Sequence, residues 1–317
     1  MLCRTADDLY WLARHIERAE NTARLIDVTR RIALLPDRFE RGRAQSTSWR
    51  RALEALGADA AFEAKHGKFD PDAVLRYLTL DPDNPSSVIS CLRAARESAR
   101  AQRTAITAEM YEDLNASWID ARQKTWEQLR DDGTSAFVDW VKSRSASFRG
   151  VTIGTLGRGA AYRFMSLGTF IERADWAIRL LDIKSSGESA GDAVDYYQWS
   201  ALLHALSAFE SYRQSHRDAL TGDRVIEHLL LSESNPRSLA ACLIQLHRVL
   251  SRMASDPRRE VVRQAGALAS EVRYATIAQI RSRDLEAYLQ DVMSRLVQLG
   301  REIHREFMDA PDEDRSE

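Results

Sequence analysis

Residues Leu12 to Val28, LARHIERAENTARLIDV, return 155 positions later as Leu167 to Ile183, LGTFIERADWAIRLLDI. Ile16, Glu17, Arg18 and Ala19 recur as Ile171, Glu172, Arg173 and Ala174, and Arg24, Leu25 and Asp27 as Arg179, Leu180 and Asp182. At 3.6 residues per turn, Leu12, Ile16, Ala19, Ala23 and Ile26 form one apolar stripe, with Glu17, Asn21 and Arg24 roughly opposite. Each copy is therefore predicted to be an amphipathic helix. Surface charges are usually interchangeable, so a Glu and an Arg kept in both copies need a reason. Either they pair with other helices inside a bundle, or they face something specific outside it.

The correspondence runs on along the chain. Trp49, Leu53, Ala55 and Leu56 match Trp199, Leu203, Ala205 and Leu206 at a shift of 150. The five positions lost fit a shorter second connection after the break at Pro36 and the polar stretch Asp37 to Ser46, which reads as a loop. DPDNPSSVISCL, Asp81 to Leu92, matches SESNPRSLAACL, Ser232 to Leu243, at a shift of 151. Asn-Pro followed by Ser is helix-start chemistry, with Asn as the cap and Pro in the first turn. Phe137, Val138, Val141 and Phe148 then match Tyr288, Leu289, Val292 and Leu299, with only Trp140 and Asp291 unlike. The pattern predicts an all-α protein, a helical bundle of two tandem copies of a unit of about 150 residues. The copies span 1–150 and 151–308, each of about six helices, packed together as one structure. The acidic tail 309–317, DAPDEDRSE, is expected to be disordered. VTIGTLGRG, Val151 to Gly159, reads as the turn between copies and not as a phosphate loop, because it lacks a GK[ST] ending.

With 317 residues, 44% of them hydrophobic, the chain can bury a sizeable core, and only 14 Gly and 7 Pro favour long helices with short connections. A net charge of -2 gives no general attraction to nucleic acid or an anionic membrane. Arg4, Asp7 and Asp8 interrupt any signal-like opening, and no run approaches the ~20 apolar residues of a membrane span, so a cytoplasmic location is expected. Cys3, Cys91 and Cys242 are too few and too separated for a disulfide framework or zinc cluster, and read as core.

A search for chemistry returns little. No HExxH, GxSxG or Walker-type loop is present, and Glu63 with His66 is a single ExxH where a di-iron bundle needs two. Glu17 with Glu20, and Glu172 with Asp175, place carboxylates on adjacent turns, but the neighbouring Arg18 and Arg24 oppose a cation, and no metal or other cofactor is expected. From Cys91 a helix is predicted to continue to Trp118, with Arg93, Arg96, Arg100 and Arg103 at helical spacing. The matched positions of the second copy lack this stripe, which makes Arg96, Arg100 and Arg103 a candidate anion site, the alternative being a solvated face balanced by Glu97, Glu109 and Glu112.

LCRTADDLYWLARHIERAENTARLIDVTRRI at 2–32, NPSSVISCLRAARESARAQR and FIERADWAIRLLDIK resemble hallmarks of the alpha-E domain family, bacterial all-helical proteins with a Glu-Arg motif. The resemblance implies association with a circularly permuted ATP-grasp protein, a class that activates carboxylates as acyl phosphates and forms amide bonds, and with transglutaminase-like proteins. The reading that follows is a helical accessory partner of an ATP-grasp amide or peptide ligase. Glu17, Arg18, Asn21, Arg24, Glu172, Arg173 and Arg179 would line a polar surface that docks the ligase or an anionic or peptide substrate. The alternatives are an enzyme using the paired Glu residues as general base or metal ligands, and a scaffold whose polar faces only close the bundle.

Overall fold

The computed structural model describes residues 1–33, 41–130, 133–185, 192–254, 256 and 258–309. Every regular element among them is a helix. In chain order these are α1 (Cys3–Ala33), α2 (Arg41–Leu56), α3 (Asp59–His66), α4 (Pro71–Thr79), α5 (Val88–Ala101), α6 (Ala108–Ala121), α7 (Trp126–Arg130) and α8 (Gly133–Thr155). There follow α9 (Ala160–Ser185), α10 (Asp192–Ala205), α11 (Phe209–Ser215), α12 (Gly222–Leu231), α13 (Leu239–Met253), α14 (Glu260–Tyr274), α15 (Ile277–Ser282) and α16 (Leu285–Phe307). Among the described residues eight helices precede Ala160 where about six were expected, because α3 and α7 are too short to show a period in the sequence. Pro36, the acidic tail from residue 310 and the opening of the polar stretch lie outside the described residues.

The long helices α1 and α9 form the centre, packed on each other. Around α1 lie α5, α8, α10 and α2, and around α9 lie α13 and α16. The predicted stripe of α1 is buried, and so are Glu17, Glu20, Asn21 and Thr22 on its other side. This helix has no solvated face along its middle turns, which is what a helix at the centre of a bundle requires. The two backbones approach closely where a Cβ on Gly168 would stand 2.2 Å from the Tyr10 carbonyl oxygen. Only glycine leaves that space.

Four local expectations are corrected. The helix predicted from Cys91 to Trp118 ends at Ala101, and a new one starts after Thr107, whose hydroxyl accepts from the Met110 amide as an N-cap. The capping residues after the Asn-Pro pairs are Ser87 and Ser238, which accept from Ser90 and Ala241 amides, while Pro85 and Pro236 precede the helices. Asn84 is buried instead as a brace, its Nδ2 donating to the Tyr77 carbonyl and its Oδ1 accepting from the Ser86 amide. Helix α8 runs through the expected boundary at 150 to Thr155, so the turn comprises residues 156–159, and α2 begins at Arg41, inside the stretch read as a loop.

Candidate functional site

The Glu-Arg motifs of α1 and α9 pair reciprocally. Arg18 grips Glu172 bidentately, Nε to Oε1 at 2.7 Å and Nη2 to Oε2 at 2.9 Å, while Arg173 Nη2 donates to Glu17 Oε1 at 2.6 Å. Bidentate charge-assisted bonds of this kind fix geometry as well as energy. Arg14, one turn before Arg18, adds a bond from Nε to Glu172 Oε2 at 2.8 Å. Its own guanidinium lies over the Trp11 ring at 4.6 Å.

The arrangement at Glu17 is richer than at Glu172. Glu20, fully buried on the next turn, accepts from Arg24 at 2.7 Å, from Arg237 Nη2 at 2.8 Å and from Arg149 Nη1. Arg237 also donates from Nη1 to Asn21 Oδ1 at 3.2 Å and lies 3.4 Å from Glu17 Oε2. Arg149 comes from α8 and Arg237 from the α12–α13 connection, so four helical neighbourhoods meet here. The second copy has no equivalent: Trp176 stands where Asn21 stands, Ser86 matches Arg237 and Gly300 matches Arg149.

Burial by itself would raise the Glu17 carboxyl, but Arg173 and Arg237 outweigh it and hold it down at about 2. Glu172 is likewise lowered against the effect of burial, by Arg18 and then Arg14. Arg237 moves the other way from its partners: burial lowers it, and Glu17 and Glu20 do not fully offset that. Close by, burial and then Arg18 push His15 down to about 4, and its Nδ1 has no partner. Cys91 and Cys242 are fully buried thiols raised to about 12 by burial, as core residues.

A cleft of about 140 Å³ between α1, α8 and α9 reaches this cluster, with Glu17, Arg149 and Arg173 in its lining. Thus Glu17, Arg18, Asn21, Arg24, Glu172 and Arg173 do come together, but turned into the bundle. Their side chains pair between and along helices within the bundle, the first of the two readings above, while Glu17 and Arg173 also line the cleft. Arg179 stands apart in a half-exposed pair with Asp175 on its own helix. Arg96 binds Asn115 and Glu97, Arg100 binds Glu97, and Arg103 covers the Tyr111 ring at 4.4 Å. These three do not join the network. Glu63 pairs with Arg50, and His66 stacks on Phe62, so the lone ExxH is divided between two roles. No group of three or more His, Cys, Asp or Glu side chains placed to hold a metal occurs among the described residues. Nor is any helix among them long and apolar enough to cross a membrane.

Arg14, Arg149 and Arg237 escaped the sequence reading. A search for matches between copies passes over them, because they fall where the copies differ.

Residues 1–308 match the family model described as "a predicted alpha-helical domain with a conserved ER motif". The chain belongs to the Alpha-E family. In this Alpha-E chain the two Glu-Arg dipeptides pair reciprocally, Arg173 with Glu17 and Arg18 with Glu172. Among curated proteins it is similar to an uncharacterized protein of Mycobacterium bovis and to two from Mycobacterium tuberculosis strains, each 27% identical over 276 residues. Those alignments cover 80% of this chain and 30% of each relative, so this Alpha-E chain spans about a third of their length. No solved structure matches it.

Proposed function

We propose that the chain is a helical accessory partner of an ATP-grasp-type amide or peptide ligase, docking the ligase or an anionic or peptide substrate. The observation that supports an accessory role over an enzyme in its own right is the ion pairing of the motif carboxylates. Glu17 and Glu172 are ion-paired and lowered, Glu17 to about 2, and such a group is a poor proton acceptor near neutral pH. Guanidiniums already occupy the positions from which a divalent metal would be coordinated. The ATP-grasp association rests on the family resemblance, and a transglutaminase-like protein is a second partner on the same ground.

The test is ATP hydrolysis and peptide ligation by the ATP-grasp protein with and without this chain, together with their co-purification. Stimulation of ligation is the expected result. A scaffold reading is favoured by the buried network, and it wins if Glu17→Gln and Glu172→Gln lower the melting temperature without altering ligase activity.

A further inference from the structure

At the α1 side of the network, Arg24, Arg149, Arg173 and Arg237 converge on two carboxylates, Glu17 and Glu20. Glu172 does not redress the balance, since Arg14 and Arg18 already share it. Uncompensated charge in a bundle interior is costly, and an anion from outside removes the cost. Unused donors remain on two of the guanidiniums. Arg237 spends both terminal nitrogens on Glu20, Asn21 and Glu17. Arg149 reaches the carboxylates through Nη1 alone, and Arg173 through Nη2 while its Nε has no acceptor. Both of these line the cleft between α1, α8 and α9.

The rest of that lining says what else the ligand carries. Phe148, Ile153, Met165 and Phe170 make it largely apolar, and Ile153 at its edge is 59% exposed. A bare inorganic anion would leave the exposed Ile153 and the partly exposed Phe170 facing water. We infer that the cleft binds a carboxylate borne on an apolar group, as at the C-terminal residue of a peptide, with Arg149 and Arg173 holding the carboxylate. The apolar side chain packs on Ile153 and Phe170, above the buried Phe148 and Met165. This deepens the accessory reading above by naming the substrate group, but it is read out with no ligase present.

The experiment is a calorimetric titration of the full chain with N-acetyl-L-leucine, N-acetyl-L-leucinamide and inorganic phosphate. Saturable binding of N-acetyl-L-leucine is expected, with the amide and phosphate at least tenfold weaker. Ile153→Glu puts a negative charge at the exposed rim and is expected to weaken binding at least tenfold with an unchanged circular dichroism spectrum. Arg149→Met is expected to abolish binding while the ligand-free melting temperature stays the same or rises, since Glu20 keeps Arg24 and Arg237. Equal binding of the amide or of phosphate, no binding at all, indifference to Ile153→Glu, or a lower melting temperature in Arg149→Met would each overturn the inference. Failure here with ligase stimulation intact removes the cleft assignment alone. Binding without stimulation removes the ligase reading alone.

Discussion

Glu17 and Glu172 occupy equivalent places in the two copies but carry different loads. Each is buried among guanidiniums, so deleting its charge strands cations in the interior; breaking a buried pair in this way costs about 3–5 kcal/mol. Glu17→Gln and Glu172→Gln are each expected to lower stability by that order, read as the urea midpoint. Pairing Glu17→Gln with Arg173→Met should recover part of the loss, because the stranded cation is then gone. The acid limb follows from the same groups. Glu17 is held at about 2 against an ordinary 4.5, so its contribution is whole above 4.5 and is lost as pH falls toward 2. His15 and His228 are lowered to about 4 from 6.5, chiefly by burial, so the folded state takes up fewer protons than the unfolded chain between those values. Stability therefore begins to fall at the histidine step, below 6.5, before the carboxylate step. Urea midpoints at about pH 7, 5 and 3 should decline in that order, and replacing both histidines with Gln should flatten the first interval.

At the scale of single elements, helix ends and one crossing decide more than composition does. Helix α2 ends in a Schellman arrangement, with the Ala58 amide donating to the Leu53 carbonyl and Gly57 at φ +60. Helix α10 ends in the same hydrogen bonds, Ala208 to Leu203, but the left-handed position is Ser207 at φ 52, exposed to solvent. Left-handed backbone penalises a non-glycine residue, and Ser207→Gly is expected to raise stability by about 0.5–1 kcal/mol, checked by thermal melting. The crossing of α1 and α9 depends on Gly168 for its closeness. Gly168→Ala pushes a methyl against the Tyr10 carbonyl and should cost about 1–3 kcal/mol, the range for overpacked sites. That variant should also loosen the Arg18–Glu172 and Arg173–Glu17 pairs, which lie one turn further along α9 and two turns further along α1.

For the molecule as a whole, the central event is the burial of α1 and α9 against each other. Neither half encloses its own long helix, so residues 1–158 expressed alone should expose the α9-facing side of α1 and unfold without cooperativity. The two halves mixed should recover a single sharp transition, followed by circular dichroism. Much of this was legible beforehand. Periodicity marked the apolar stripe of α1, the recurrence of Glu-Arg marked the right pair of helices, and scarcity of Gly and Pro marked an all-helical chain; each is a local property that a one-dimensional string retains. The string does not carry which side of a helix is enclosed, because that depends on neighbours from distant parts of the chain. Glu17 and Glu20 read as one polar face, and only packing turned that face inward and delivered Arg149 and Arg237 to it from α8 and the α12–α13 connection. Helix type was set by local backbone and side-chain preferences. The charge balance of the interior was decided by the fold, since electrostatic energy depends on distance in space and on exclusion of water.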